Sequence, residues 1–98
     1  MLSRDEILDV LSQYRREHVQ QYGIEQIGIF GSYARGQATE ASDVDVYVRL
    51  RHASLFLLSR IRIELEELLG VPTDVVQVRE RMNAFLKRRI EHEAIRAQ

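Results

Sequence analysis

The sequence predicts an α/β protein, because segments with helical periodicity alternate with short strand-like segments along its 98 residues. The clearest strand signal runs from Asp43 to Leu50, where every second residue is apolar. The clearest helix signal is the leucine-rich segment that follows Ser54 and stops at Gly70. The predicted order is helix, strand, short helix, strand, helix, strand, helix.

The first and third helices have recognisable ends. Ser3 followed by Glu6 is a capping-box pattern, and residues at helical spacing then continue to Gly23: Ile7, Leu11, Tyr14, His18 and Tyr22. The helix after Ser54 is expected to turn one apolar stripe toward the sheet, formed by Leu55, Leu58, Ile61, Leu65 and Leu68.

The shorter elements fill the intervals. Residues 27–30 are predicted to form a buried strand, and residues 31–36 to leave it in one or two helical turns. A third strand is expected over residues 73–78. Asn83 then caps a last helix whose apolar positions are Leu86, Ile90 and Ala94.

Asp43 and Asp45 are the first candidate site residues. They alternate with valines in a predicted strand, so both side chains are expected on one face, with Cα atoms about 6.6 Å apart. Aspartate is disfavoured inside strands, and two carboxylates at this spacing can reach one divalent cation or a closely spaced pair. The alternative is that they form the solvated face of an edge strand.

Gly31 and Ser32 form the second candidate element, at the end of a predicted buried strand. A helix that starts at Ser32 offers unpaired backbone N–H groups to phosphate oxygens, and the Ser32 hydroxyl adds a donor. Gly31 lets the backbone approach a ligand closely. Arg35 is a candidate phosphate ligand, with a solvated arginine as the alternative.

These residues resemble a known family. Gly31-Ser32, ten intervening residues and Asp43-x-Asp45 are similar to the signature of the DNA-polymerase-beta-like nucleotidyltransferases. The string GSYARGQATEASDVDVYV looks like the minimal nucleotidyltransferase (MNT) branch, the antitoxins of HEPN/MNT toxin–antitoxin pairs. The resemblance extends from about Ile27 through Asp74. It implies a polymerase-beta-type fold, with a small mixed sheet covered by helices.

The resemblance also implies a set of site residues and an activity. Asp74, on the third strand, matches the expected third carboxylate, so that Asp43, Asp45 and Asp74 would hold two Mg²⁺ ions and carry catalysis. Gly31, Ser32 and Arg35 would bind the nucleotide. The implied function is a type VII-like antitoxin that transfers AMP from MgATP to a tyrosine of a HEPN-family RNase toxin, with release of pyrophosphate.

Composition limits the remaining possibilities. A net charge of −1 gives no electrostatic argument for nucleic-acid or membrane binding, so neither is expected. The chain has no cysteine, which agrees with a reducing cytoplasm, and no apolar signal segment is apparent at its start. Residues 1–98 are expected to form a single minimal nucleotidyltransferase domain.

Two other functions stay open. One is a non-catalytic antitoxin that binds and occludes its toxin, with the site as a relic. The other is a subunit of a small-molecule nucleotidyltransferase, such as an antibiotic-modifying enzyme. The presence of all three acids argues against a relic, and the short segment after Val78 leaves little room for a domain that binds a small acceptor.

Overall fold

A four-stranded mixed sheet organises residues 2–98, the part of the chain that the computed structural model describes. The strands are β1 (Ile24–Phe30), β2 (Val44–Leu50), β3 (Thr73–Gln77) and β4 (Ile95–Arg96). The helices are α1 (Arg4–Tyr22), α2 (Gly31–Arg35), α3 (Leu55–Leu69) and α4 (Ala84–Glu93). The strand order is β3-β2-β1-β4, with β2 antiparallel to β1 and parallel to β3, and β4 antiparallel to β1.

Side-chain caps set the start of the longer helices, as the sequence predicts. The Ser3 hydroxyl accepts the backbone N–H of Glu6 at 3.1 Å, and the Glu6 carboxylate accepts the backbone N–H of Ser3 at 3.0 Å. This is the predicted capping box. Ser54 and Asn83 cap α3 and α4 in the same way, through one backbone N–H each.

The sheet is covered on both faces by helices. Helices α1 and α3 pack on one face and enclose the main core, whose fully buried members include Ile7, Leu11, Ile27, Ile29, Ile61 and Leu65. Helix α4 covers the opposite face with a smaller core built on Phe30, Tyr47 and Ile90. None of the described helices has the length and apolar character that a membrane crossing requires.

The alternation of β2 divides its side chains between these two layers. Val44, Val46 and Val48 are fully buried in the main core. Asp45 and Tyr47 lie between them in sequence and therefore point to the opposite face, where α4 packs. The candidate carboxylate is thus placed in the layer between the sheet and α4, beside the smaller core.

The apolar stripe of α3 differs from the predicted one. Ile61, Leu65 and Leu69 are buried, whereas Leu55 and Leu68 are 83% and 58% exposed. At about 100° per residue, Leu55 points roughly 120° away from Ile61, so it cannot share the buried line. The buried line is centred on Leu65: Leu69 lies about 40° from it around the helix, whereas Leu68 lies about 60° from it in the other direction.

The end of the chain also differs from the prediction. Helix α4 stops at Glu93, and Ala94 is its C-cap rather than a helical position. The next two residues form β4, with Ile95 opposite Ile29 and Arg96 opposite Gly28. This strand satisfies backbone groups along the edge of β1, a long-range requirement that helical spacing does not reveal.

Candidate active site

The carboxylates Asp45 and Asp74 lie side by side on neighbouring parallel strands. Asp45 is half-buried on β2, Asp74 is exposed on β3, and the two are register partners. Asp43 is exposed and immediately precedes β2, so the strand begins one residue later than predicted. The structure therefore brings Asp74, which lies on a different strand, beside the Asp-x-Asp pair.

The charges of this group affect one another. Burial of the Asp45 carboxyl raises its pKa above the ordinary value, and the negative charge of Asp74 raises it further. Asp43 adds a smaller effect in the same direction, while the positive charges of Arg89 and Arg35 lower the pKa. The net effect is upward, so the protein holds this carboxylate in surroundings that oppose its charge.

Gly31 contacts this carboxylate directly from the end of β1. Phe30 is the register partner of Asp45, and the chain turns immediately after it into α2, with Gly31 at φ 73°. A Cβ atom placed on Gly31 would clash with the Asp45 carboxylate oxygen Oδ2. Glycine is required here both for the left-handed backbone and for the close approach of the two groups.

The other residues of the predicted phosphate element lie on α2, which starts at Gly31 rather than at Ser32. The Ser32 hydroxyl has no hydrogen-bond partner among residues 2–98 and is only partly covered. Arg35 is exposed at the last position of α2. Its Nε donates to the side-chain oxygen of Gln37 at 3.1 Å, which holds the guanidinium near the turn.

Glu93 joins the site from the end of α4 and was not among the predicted residues. Its carboxylate accepts the backbone N–H of Gly31 at 3.0 Å and hydrogen bonds from Arg35 Nη1 at 3.1 Å to both oxygens. Arg89, one helical turn earlier, lies 3.8 Å from the same carboxylate. The only sequence signal is the Arg89/Glu93 spacing of an intrahelical ion pair, which does not point to Gly31.

Electrostatics favours the charged form of Glu93. Burial raises the pKa of its carboxyl group, but the Gly31 N–H and the Arg35 guanidinium oppose this, and the net pKa lies below the ordinary value. Glu93 is therefore an anion, and it is bound to Gly31 and Arg35, two of the residues that the sequence predicts to bind phosphate.

The donor set of this site fits a hard divalent cation. Carboxylate oxygens are the ligands Mg²⁺ prefers, and the pKa of Asp45 is raised by burial and by the charge of Asp74 although Arg89 and Arg35 oppose the shift. Within residues 2–98, no three acidic or histidine side chains by themselves form a metal-binding group. Mg²⁺ usually takes few protein ligands and completes its shell with water and substrate phosphates.

One concave region of the described surface lies away from the carboxylates. A cavity of about 510 Å³ opens between the start of α3 and the end of β3, and none of its lining residues is acidic. The carboxylate group instead belongs to the side of the sheet on which α4 packs. Chemistry and charge, rather than concavity, identify the candidate site.

Comparison with known proteins identifies the family of the chain. Residues 11–97 match the family model described as "Nucleotidyltransferase domain". A curated relative, the protein adenylyltransferase MntA of Thermococcus cleftensis, is 40% identical over 77 residues, which cover 78% of each chain.

Solved structures show the same fold. A provisionally named minimal nucleotidyltransferase superposes with a TM-score of 0.75 at 32% identity, covering 96% of this chain and 95% of its own. A toxin–antitoxin structure with AMP-PNP superposes with a TM-score of 0.79 at 18% identity, and the match covers 93% of this chain and 72% of the other. A structure of tri-AMPylated Shewanella oneidensis HEPN toxin in complex with MNT antitoxin superposes with a TM-score of 0.73 at 16% identity. The match covers 97% of this chain and 71% of the other.

The chain belongs to the nucleotidyltransferase domain family. Its resemblance to the minimal nucleotidyltransferases, inferred from Gly31-Ser32 and Asp43-x-Asp45, is confirmed, and so is the α/β fold with a small mixed sheet covered by helices.

Proposed function

We propose that this chain is a cytoplasmic antitoxin that transfers AMP from MgATP to a tyrosine of a cognate HEPN-family RNase toxin and thereby neutralises it. The observation that carries the proposal is the contact of Gly31 with Asp45, whose register partner is Asp74. This contact joins the predicted phosphate element to the predicted metal ligands. A nucleotide held by Gly31 and Ser32 would therefore lie beside the carboxylates.

The relatives support the choice of reaction and partner. The Thermococcus relative is named a protein adenylyltransferase, and one structural neighbour is an MNT antitoxin complex whose HEPN toxin is tri-AMPylated. Another neighbour is a toxin–antitoxin structure with AMP-PNP, an ATP analogue. We extend these properties to this chain because it shares their fold and carries the residues that the family resemblance assigns to the reaction.

The proposed reaction is a single displacement at phosphorus. The tyrosine oxygen attacks the α-phosphorus and forms a new P–O bond, while the bond from that phosphorus to the oxygen bridging the β-phosphate breaks. Pyrophosphate leaves with the bonding electrons, and the proton of the hydroxyl passes to Asp74 and then to water. Mg²⁺, when bound, supplies positive charge to the phosphate oxygens and lowers the pKa of the attacking hydroxyl.

The protein residues orient the reactants. Asp43 and Asp45 would hold the metal ions, and Asp74 would complete the second metal site and receive the acceptor's proton. The Gly31 backbone, the Ser32 hydroxyl and Arg35 would bind the terminal phosphates through hydrogen bonds. Most of the rate enhancement is then expected from positioning and charge neutralisation rather than from a covalent intermediate.

The proposal is tested with the toxin partner. A small amount of this protein with MgATP should modify an excess of toxin, and intact-mass spectrometry should show one or more added AMP units. Peptide mapping should place them on tyrosine. A non-catalytic antitoxin must instead act at a one-to-one ratio.

The Asp43→Asn/Asp45→Asn double variant is the control for this experiment, because it retains the shape of both side chains and removes their charge. It should leave the toxin unmodified and active at substoichiometric amounts. If both proteins silence an unmodified toxin equally well at one-to-one ratio, occlusion replaces catalysis as the function.

Asp74→Asn should separate transfer from nucleotide binding. Asp74 is exposed on β3, one strand further than Asp45 from β1 and the α2 helix that follows it, and its proposed role concerns the acceptor. We expect MgATP affinity within about twofold of the wild type and transfer slowed about a hundredfold, the usual effect of losing a proton acceptor. Calorimetry and single-turnover assays measure the two quantities. If the variant loses affinity for MgATP but keeps its rate of transfer per bound nucleotide, the role proposed for Asp74 is wrong.

A further inference from the structure

Glu93 occupies hydrogen-bond donors that the proposed reaction needs for the nucleotide. Its carboxylate is bound to the Gly31 N–H at 3.0 Å and to the Arg35 guanidinium at 3.1 Å. Each of these groups is an ordinary ligand of phosphate, and a carboxylate is the natural protein anion to take the place of a phosphate oxygen.

The two anions cannot share this position. A backbone N–H has one hydrogen, and at Gly31 it is already directed at a Glu93 oxygen at normal hydrogen-bond distance. A phosphate group brought to the same N–H would also stand beside the Glu93 charge at a separation of a few ångströms, where like charges repel strongly. Either the carboxylate leaves or the phosphate binds without these donors.

We propose that Glu93 is an internal competitor of the nucleotide, which holds Gly31 and Arg35 in the free protein and leaves them when the phosphates of MgATP bind. This inference rests on the proposed function, since it takes Gly31 and Arg35 as nucleotide ligands. It identifies Glu93 as a residue that sets nucleotide affinity, although it belongs to none of the motifs that predicted the site.

The position of Glu93 gives the exchange a structural consequence. Glu93 is the last residue of α4, and β4 begins two residues later against Gly28 and Ile29 of β1. The hydrogen bonds of its carboxylate to Gly31 and Arg35 help to hold the end of α4 against α2. When the carboxylate leaves Gly31, this end of the helix loses that contact, so nucleotide binding and the anchoring of α4 are coupled.

Glu93→Gln is the direct test. Glutamine keeps the length of the side chain and can still accept the Gly31 N–H, but it loses the ion pair with Arg35 and the repulsion of phosphate. The apparent affinity of a site falls in proportion to the fraction of molecules in which it is available. If the carboxylate occupies the donors in about nine molecules of ten, Glu93→Gln should bind MgATP about tenfold more tightly than the wild type.

Glu91→Gln provides the matched control. Glu91 lies on the same helix, is exposed, and makes no hydrogen bond or ion pair among residues 2–98. The substitution changes the net charge by the same amount and should leave MgATP affinity unchanged. Calorimetry with MgATP, and with magnesium pyrophosphate as a probe without a base, measures the effect on the phosphate donors themselves.

A second measurement uses the unaltered protein, so the inference does not depend on the variant folding. With glutamate labelled at the side-chain carboxyl carbon, the Glu93 resonance should move toward those of solvent-exposed glutamates as MgATP is added. A resonance that stays in place while MgATP binds would overturn the competition.

The outcomes separate this inference from the proposed function. Glu93→Gln binding that is equal to or weaker than wild type, with AMP transfer intact, would show that Glu93 positions the turn instead of competing, and would overturn only the inference. Absence of MgATP binding in the wild type and in Glu93→Gln alike would overturn both. Tighter binding in Glu93→Gln but not in Glu91→Gln supports the competition.

Discussion

The Asp43→Asn/Asp45→Asn variant is expected to lose AMP transfer by at least about a hundredfold and to bind MgATP much more weakly than the wild type. Metal ions contribute several kcal/mol of charge stabilisation to reactions of this type, and each 1.4 kcal/mol or so corresponds to a factor of ten in rate. Asparagine retains an oxygen ligand but not the charge that holds the ion. Single-turnover transfer assays and calorimetry with MgATP measure both effects.

The same variant should not be less stable than the wild type. Burial and the charge of Asp74 raise the pKa of Asp45 in the folded protein. Between the unfolded and the folded pKa the native state binds more protons, so the ionisation of Asp45 lowers stability as pH rises through this interval, and the penalty persists at neutral pH. Replacing this carboxylate by an amide removes the penalty, so the thermal midpoint at neutral pH should be equal or higher.

Glu40→Gln/Glu91→Gln is the matched control, because both residues are exposed and lie outside the carboxylate group. It removes the same two charges and should leave transfer and MgATP affinity unchanged. Unchanged MgATP affinity in a folded Asp43→Asn/Asp45→Asn protein would remove the metal site from the proposed mechanism.

The parts of the fold that depend on neighbouring residues were predictable from the sequence. The Ser3/Glu6 capping box and the alternation of Val44 to Leu50 are confirmed because a cap and a strand face are decided within a few positions. The error in the α3 stripe shows where this reasoning stops. Helical spacing already separates Leu55 from Ile61, but it places Leu68 within about 20° of Ile61, so the neighbouring helix and sheet decide that Leu68 stays exposed.

The candidate site divides in the same way. Gly31, Ser32, Asp43 and Asp45 were found from one continuous segment, and Asp74 from the resemblance to a family. Glu93 was not found, because its partner Gly31 lies 62 positions away in sequence. Two residues so far apart meet only because α4 crosses the face of the sheet that carries Asp45. Their roles in catalysis and nucleotide binding stay predictions that the variants test.

Gly31→Ala is expected to lower both the stability of the protein and its affinity for MgATP. An alanine at φ 73° is strained, and its Cβ would be driven into the Asp45 carboxylate. The backbone strain alone is expected to lower stability by about 1–2 kcal/mol. The clash must be relieved by moving either the turn or the carboxylate, and either movement separates the phosphate element from the metal ligands. Because displaced groups bind the ligand less well, we expect MgATP affinity to fall at least about tenfold, which corresponds to about 1.4 kcal/mol of binding free energy.

Gly36→Ala separates the effect of backbone strain from the effect of the contact between residue 31 and Asp45. Gly36 follows the same short helix and has nearly the same backbone, with φ 74°, but a Cβ there meets no atom within 4 Å. It should show a similar loss of thermal stability from strain, without the tenfold loss of MgATP affinity. The difference in affinity between the two variants therefore measures the contact of Gly31 with Asp45. Equal affinities in the two folded proteins would mean that this contact does not join the nucleotide to the carboxylates, and the observation that carries the proposed function would fail.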